Sequence, residues 1–446
     1  MKPIQVFLGA ALLFMAPMVA PQARAQAQTQ AQAQIDGPPS RPVVDAPELA
    51  ALGHHAVGVR TLKLVDHDAS DLVAPHRDRL LQVDLWYPAV AVRGAKPAVY
   101  SGSLPAEQPG PPVAFTVPGL AIRNARPDGG HYPLVIVSHG RSNATAALSW
   151  LTENLASKGY VVAAIRHADL PRTEALEGPE ILLRRPLDIA FVARTLQESL
   201  AHEGLVDPER TALIGYSVGG YGVLIDAGAP LDPQGGPCKR VPDGALLPYA
   251  AGGPLQSATL VAHLRAVVAI APWGGSVGAW GRTGLAGIRA PLFLIAGDRD
   301  HTVDYQSGAP AILDAATGAP RYLLTYRGAG HALGLGPAPP TMRGSTWDIS
   351  WFEDPVWRKD RIIAINLHMI TAFLDRYVKG DESRAAYLDG RVPESTAGSW
   401  QAPKGTPFDA HSPGTEGITL WKGFQRDYAE GLELLRRDAQ AAGTPQ

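Results

Sequence analysis

Cysteine is almost absent from the sequence, because Cys238 is the only one among 446 residues. An internal disulfide is therefore excluded, and so is a zinc site built from paired cysteines. A zinc-binding His-Glu-x-x-His motif, a phosphate-binding P-loop and the glycine pattern of dinucleotide-binding folds are also missing. These absences argue against a metal enzyme and a nucleotide-dependent one, and we predict that the protein needs no cofactor.

An excess of charge of one sign is also lacking. The chain has 40 Lys and Arg against 42 Asp and Glu, a formal net charge of −2 at pH 7, and no basic tract. Neither nucleic acid nor an anionic membrane surface is therefore predicted as a partner. Beyond the N-terminus, no apolar run reaches the roughly 18 residues of a membrane-spanning helix, so no span is predicted. These features leave the oligomeric state open.

The N-terminal segment has its features in the order found in secretory signal peptides. Lys2 precedes an apolar run at residues 6–20, and Ala-Arg-Ala at residues 23–25 offers a cleavage site. A buried first helix of the domain is the alternative, but the Gln- and Ala-rich spacer that follows, residues 26–50, cannot bury a core. We therefore expect a signal peptide over residues 1–25 and export of the mature protein to the periplasm or the medium.

The pattern of apolar residues changes along the rest of the chain. Residues 57–87 alternate between apolar and polar side chains, which predicts antiparallel strands, and the Pro- and Gly-rich residues 94–131 are predicted to form a loop. From residue 132 onwards, continuous apolar runs alternate with amphipathic segments of helical period. This order predicts an α/β fold with a doubly wound, mostly parallel sheet.

The same pass along the chain suggests its domain organisation. Residues 51–384 are predicted to form the α/β domain, with lid-like insertions at about residues 228–262 and 335–360. Both insertions interrupt the regular alternation of strands and helices, and the first is rich in Pro and Gly. Residues 385–446 are predicted to be an accessory segment packed on the domain.

The pattern Gly-x-Ser-x-Gly occurs twice, around Ser217 and around Ser276. A nucleophile elbow needs a strand, a sharp turn and a helix in that order, and only Ser217 has this context. Gly215 and Gly219 flank it where side chains would collide in so tight a turn. We therefore predict that Ser217 is a catalytic nucleophile and that Ser276 is a loop residue.

A serine hydroxyl is a weak nucleophile at neutral pH and needs a base, which in turn needs an orienting acid. In folds of this type the chain order is serine, acid, histidine. His331 lies between glycines in the loop after the next predicted strand, and is the favoured base over three histidines on adjacent loops, which are His139, His167 and His301. Asp300 is the favoured acid, with Asp298 as the alternative.

The oxyanion that forms during acyl transfer needs two backbone N–H donors. Val218, the residue after the nucleophile, is predicted to supply one. Arg141, in the loop after the early strand that ends at His139-Gly140, is predicted to supply the other. A glycine at position 140 lets the backbone approach a substrate closely.

The segments at residues 133–169 and 207–222 resemble the dienelactone-hydrolase-like and platelet-activating-factor-acetylhydrolase-like branch of the α/β-hydrolases. The resemblance extends over roughly residues 56–381, and it implies the same triad and the same oxyanion donors. Two features depart from that branch. Dienelactone hydrolases use a cysteine nucleophile, and the acetylhydrolases carry their acid where this chain has Ala271 and Pro272. The acid is therefore expected one strand later, as in cutinase-like polyester hydrolases, which favours Asp300.

Large aromatic residues are close in sequence to the site loops. Trp273, Trp347, Trp351 and Phe352 are predicted to line an acyl or alcohol pocket, with core packing of a long excursion as the alternative. The resulting prediction is an exported serine hydrolase that cleaves a small or polymeric carboxylic ester. The alternatives are the same triad acting on an amide or a β-diketone C–C bond, acyl transfer to an alcohol, and a non-catalytic binding protein with this fold.

Overall fold

The fold is seen in a computed structural model, which describes residues 47–69, 72, 77–107, 110–389, 392–399, 419–424 and 429–440. The predicted signal peptide and nearly all of the spacer lie outside the described residues. The strands are β1 Ala56–Ala69, β2 Arg77–Ala89, β3 Val99–Leu104, β4 Val113–Pro118, β5 Ile122–Arg123, β6 Tyr132–Ser138, β7 Val161–Arg166, β8 Val206–Tyr216, β9 Leu264–Ile270, β10 Leu292–Gly297, β11 Arg321–Tyr326 and β12 Leu432–Arg437. The helices are α1 Ser149–Ser157, α2 Glu177–His202, α3 Val218–Asp226, α4 Gly236–Arg240, α5 Pro254–Ala258, α6 Ala309–Ala315, α7 Thr346–Ser350, α8 Lys359–Tyr377 and α9 Ala385–Leu388.

Ten of these strands form one sheet in the order β12-β11-β10-β9-β8-β6-β7-β2-β1-β5. The six strands from β11 to β7 run parallel, whereas β2 pairs antiparallel with both β7 and β1. The predicted α/β class and its mostly parallel sheet are therefore confirmed. The parallel strands are almost entirely buried, as expected for a sheet covered on both faces.

Helices cover both faces of the sheet, so the chain is doubly wound. Residues of α1 and α8 belong to one apolar core, and residues of α2, α3 and α6 belong to the other. From β6 the chain adds β7 on one side, and then adds β8 and β9 on the other side of β6. The direction in which strands are added to the sheet therefore reverses between β6 and β8. Ligands of open α/β sheets bind beside the carboxyl ends of the strands at such a reversal. This point of the sheet therefore marks where a functional site is expected.

The apolar residues at helical spacing in residues 185–204 predict a helix there. Helix α2 begins eight residues earlier, at Glu177, and it continues through Pro186. Proline has no N–H to donate to the carbonyl four residues earlier, here that of Leu182. The Tyr221 hydroxyl donates to this carbonyl at 3.3 Å, and the Tyr249 hydroxyl donates to that of Leu183 at 2.6 Å. Tertiary hydrogen bonds thus replace what the proline removes.

Two segments contain more regular structure than their composition suggests. The loop predicted for residues 94–131 contains the antiparallel hairpin β3–β4 and the short strand β5. The segment 385–446, predicted to pack as an accessory, contributes β12, which pairs antiparallel with β11 at the edge of the main sheet. Within the described residues, no helix combines the length and apolar composition that crossing a membrane requires.

Asp226 at the end of α3 is a buried carboxyl whose two oxygens have no hydrogen-bond partner among the described residues. Burial, with a smaller contribution from the charge of Asp188, raises the pKa of Asp226 well above its ordinary value of 3.8. The folded state therefore holds a proton that the unfolded chain releases as pH rises above that value. Asp226 thus lowers stability increasingly with rising pH, by up to about 1.4 kcal/mol per pH unit until its folded-state pKa is reached.

Replacing Asp226 with asparagine keeps the shape of the side chain and removes this proton uptake. We expect the variant to unfold at a temperature a few degrees higher at pH 8, with a smaller gain at pH 5. Thermal unfolding of both proteins at the two pH values measures this difference. An equal change at both pH values would contradict a protonated Asp226.

Candidate active site

The serine of the first motif occupies a strained turn between β8 and α3. Ser217 has φ 56° and ψ −117°, a backbone conformation that non-glycine residues rarely adopt and that concentrates at functional sites. A Cβ on Gly215 would lie 2.3 Å from the Gly219 carbonyl oxygen, and one on Gly219 would lie 2.1 Å from that of Ser138. The predicted steric need for both glycines is therefore confirmed. The turn presents the Ser217 hydroxyl at the carboxyl end of β8.

Ser217, His331 and Asp300 form one hydrogen-bonded row. Ser217 Oγ lies 3.1 Å from His331 Nε2, and His331 Nδ1 lies 2.7 Å from Asp300 Oδ2. The other Asp300 oxygen accepts the backbone N–H groups of Thr302 and Val303 at 2.9 and 3.2 Å. Because the carboxylate faces Nδ1, the network assigns the proton to Nδ1 and leaves Nε2 to accept from the serine.

The alternative acid and the second motif serine lie elsewhere. Asp298 Oδ1 accepts the Gly328 N–H at 2.6 Å, and Asp298 Oδ2 lies 3.7 Å from Arg327 Nη1. Ser276 is exposed on a short 3₁₀ turn, Gly275–Val277, which ends at the left-handed Gly278 instead of entering a helix. The structure therefore brings Asp300 to His331, and the prediction that Ser276 is a loop residue is confirmed.

Tyr216, the last residue of β8, contacts the histidine directly. Its ring stacks on the His331 ring with centroids 5.2 Å apart, and its hydroxyl donates to the His331 backbone carbonyl at 3.0 Å. Burial, followed by the negative charge of Asp300, raises the pKa of Tyr216 above its ordinary range, so the hydroxyl keeps its proton. Sequence reasoning missed this residue, although its position next to Ser217 was a signal.

Three further groups from distant parts of the chain hold the loop that carries His331. Asp354 accepts the Gly330 N–H at 2.7 Å, and the Lys359 ammonium donates to the Ala332 carbonyl. The side-chain amide of Asn366, in α8, donates to the Leu333 carbonyl at 3.0 Å. None of these three had been predicted as a site residue, and no motif in the sequence marks them.

The predicted oxyanion donors flank Ser217. Val218 is the first residue of α3, where a backbone N–H has no partner within its helix. Gly140 lies against the nucleophile, since a Cβ there would be 3.2 Å from Ser217 Cβ, and Arg141 follows it directly. The Arg141 guanidinium turns to Glu177, which accepts from both Nε and Nη2. The role of the Arg141 backbone N–H as an oxyanion donor stays a prediction.

Two of the rival histidines belong to a separate buried network. Ser138 Oγ lies 2.9 Å from His167 Nε2, and His167 Nδ1 lies 2.9 Å from Asp188 Oδ2, so the order of side chains repeats that of the site. Ser138 is fully buried and cannot meet a substrate. Burial lowers the pKa of His139 to about 3 and that of His167 to about 4, so both are neutral. Asp188 also pairs with buried Arg79 at 2.9 Å, which makes the network structural.

The third rival, His301, is exposed next to Asp300 in sequence, whereas His331 is the histidine within hydrogen-bond distance of Ser217. In the described part of the chain, no group of three or more His, Cys, Asp or Glu side chains is arranged to hold a metal ion.

The four aromatic residues predicted to line a pocket differ in burial and in the residues that they contact. Phe352 is fully buried and packs edge-on against Phe115 of β4, so its prediction as a pocket residue is wrong. Trp347 and Trp351 are half-buried and contact each other edge-on, with ring centroids 5.8 Å apart. Trp273 is joined to the elbow, because its backbone N–H donates to the Ser217 carbonyl at 3.0 Å. Trp273 is the aromatic residue of the four that lies beside the nucleophile.

Comparison with known proteins gave two similarities. A family model described as "PETase: PET hydrolase-like" matches residues 122–231, which include β6, β8 and the elbow. A solved structure of a ferulic acid esterase from Streptomyces cinnamoneus superposes with a TM-score of 0.52 and 22% sequence identity, covering 74% of this chain and 93% of that one. A search of curated proteins gave no match. The chain therefore shares the α/β fold of that esterase structure, and its segment 122–231 is similar to the PET hydrolase-like family.

Proposed function

We propose that the protein is an exported serine hydrolase that cleaves carboxylic esters through an acyl-enzyme. The observation that carries the proposal is the hydrogen-bonded row of Ser217, His331 and Asp300, with separations of 3.1 and 2.7 Å, at a strained strand–helix turn. The similarity to a PET hydrolase-like family and to a ferulic acid esterase supports a carboxylic ester hydrolase. Export is proposed from the signal-peptide pattern of residues 1–25.

The proposed reaction proceeds in two steps. Ser217 Oγ attacks the ester carbonyl while His331 Nε2 takes its proton, and His331 then gives this proton to the departing alcohol. Water, activated in turn by His331, hydrolyses the acyl-Ser217 ester and regenerates the serine. Asp300 orients His331 and stabilises its charged form. The backbone N–H groups of Val218 and Arg141 would stabilise the oxyanion, and one such donor is typically responsible for about 10²–10³ in rate.

Treatment of the purified protein with a fluorophosphonate, followed by peptide mass spectrometry, tests the nucleophile before any substrate is known. We expect the label on Ser217, because an activated serine attacks phosphorus and remains covalently bound. Ser138 and Ser276 are internal controls, since one is buried in a similar network and the other shares the motif. Label on either of them, or a folded protein without label, would refute the proposal.

The substrate then follows from product analysis. We propose a panel of esters that contains a ferulate ester, a polyester film and aliphatic p-nitrophenyl esters, because the two matches name PET hydrolases and ferulic acid esterases. Adding an alcohol to the reaction separates hydrolysis from acyl transfer, since transfer would yield a new ester.

Sequencing the N-terminus of the exported protein tests the predicted cleavage after residue 25.

A further inference from the structure

The loop that carries His331 is anchored on both sides of that residue. The Lys359 ammonium donates to the carbonyl of Ala332, which directly follows His331. The Asp354 carboxylate accepts the N–H of Gly330, which directly precedes it, at 2.7 Å. Both anchors come from the end of the second insertion and the start of α8, far along the chain from Ser217. Their contacts fix the backbone on either side of the residue that meets the serine.

Lys359 is an unusual residue for a purely structural contact. It is the first residue of α8, and its side chain is buried although an ammonium is costly to remove from water. Burial lowers the pKa of Lys359 from 10.5 to about 8, while the charges of Glu353 and Asp354 oppose that shift. Lys359 is therefore charged below about pH 8 and neutral above it.

We propose that Lys359 is a positioning residue for the reaction of Ser217 and His331, and that loss of its charge sets the alkaline limit of activity. This inference rests on the proposed function. A charged donor makes a hydrogen bond roughly twice as strong as a neutral one, so the Ala332 carbonyl is held most firmly by the ammonium. When the bond weakens, His331 Nε2 is free to move away from Ser217 Oγ, and small displacements of reacting groups lower the rate.

The other charged groups around this contact do not provide the same switch. Glu353 and Asp354 face Lys359 from the segment before α8, and their negative charges favour the charged ammonium. Tyr216, on β8, donates to the carbonyl of His331, the residue before Ala332, and burial keeps its hydroxyl protonated. A fall in activity near pH 8 is therefore assigned to Lys359.

The test is the pH profile of kcat for hydrolysis of p-nitrophenyl butyrate between pH 6 and 10. For the wild type we expect kcat to fall roughly threefold to tenfold around pH 8, with KM nearly unchanged. Lys359→Arg, whose side chain stays charged, should remain active to pH 9.5. Lys359→Met should have, at every pH, a kcat close to that of the wild type above pH 8, so its profile should show no fall near pH 8. A wild-type profile that stays flat to pH 9.5 would overturn the proposal.

Lys158 provides a matched control. Its ammonium donates to the Leu49 carbonyl and to the Thr371 hydroxyl, and burial lowers its pKa to about 7. These contacts are made away from the His331 loop. Lys158→Met should therefore lose stability but keep the alkaline fall in kcat. If Lys158→Met abolishes that fall, alkaline loosening of the fold explains the profile and Lys359 does not.

A second variant keeps the proposal testable if the Lys359 variants do not fold. Glu353→Gln removes a negative charge that raises the pKa of Lys359 and retains the oxygen that accepts the Ala338 N–H. The fall in kcat should move to lower pH in this variant, and an unchanged position would overturn the proposal. A wild type without hydrolysis or fluorophosphonate label refutes the proposed function and this inference with it. An active wild type with a flat profile refutes only the inference.

Discussion

Replacing Ser217 with alanine is expected to lower kcat for ester hydrolysis by roughly 10⁴- to 10⁶-fold. The hydroxyl lies 3.1 Å from the acceptor nitrogen of His331, and without it no acyl-enzyme can form. Alanine keeps the Cβ of serine and needs no additional space. Both residues have to adopt the same positive φ of 56°, so the backbone strain is unchanged. The loss should therefore fall on kcat and leave substrate binding and the folded state nearly intact. Steady-state kinetics with the best ester of the panel, together with thermal unfolding, measures both.

Ser276→Ala is the matched control, because it alters the other Gly-x-Ser-x-Gly motif in the same way. Ser276 is exposed on a turn that leads into no helix, so this change should alter kcat by less than about twofold. Fluorophosphonate labelling should disappear in Ser217→Ala and persist in Ser276→Ala. A Ser217→Ala protein that is folded and keeps its activity would show that the nucleophile lies elsewhere.

The parts of this site that sequence reasoning predicted are those encoded by local patterns. Continuous apolar runs identified the buried parallel strands, because a strand covered on both faces needs no polar side chains. The elbow was recognisable because the two flanking glycines and the strand before Ser217 follow from the sterics of one tight turn. The order of serine, acid and histidine then restricted the candidates to a few residues in two loops.

Other features were missed because they depend on contacts between distant segments. The helix predicted at residues 185–204 extends further towards the N-terminus through Pro186, because hydroxyls of Tyr221 and Tyr249 satisfy the carbonyls of the preceding turn. The hairpin β3–β4 lies in a Pro- and Gly-rich stretch where composition predicts a loop. Phe352 was assigned to a pocket by its closeness in sequence to the site, but it packs into the core against Phe115.

The anchors of the His331 loop illustrate the same limit within the site. Asp354 and Asn366 belong to no motif, and a lysine at position 359 would be read as a surface residue near a helix start. Only the packing of α8 and of the segment before it against the loop brings these groups to the backbone around His331. The chemical groups of the site are thus encoded locally, whereas the groups that hold them in place are set by tertiary structure.

Replacing Asp300 with asparagine is expected to lower kcat by about 10⁴-fold, because it changes the tautomer of the base. Asp300 Oδ1 accepts two backbone N–H groups, from Thr302 and Val303, so the asparagine carbonyl oxygen must occupy that side. Its NH₂ group then faces His331 Nδ1 and can only donate to it. The histidine proton consequently moves to Nε2, which can no longer accept the proton of Ser217.

Asp298→Asn distinguishes this effect from a general loss of charge in the same loop. Asp298 Oδ1 accepts the Gly328 N–H at 2.6 Å, and an asparagine oxygen preserves that bond, so kcat should change by no more than a few-fold. If Asp298→Asn causes the larger loss and Asp300→Asn the smaller, Asp298 is the triad acid in solution. Equal, small losses in both would mean that His331 is oriented by its backbone contacts alone. The rate difference between these two isosteric changes therefore measures how much of the catalysis depends on the 2.7 Å bond between Asp300 and His331.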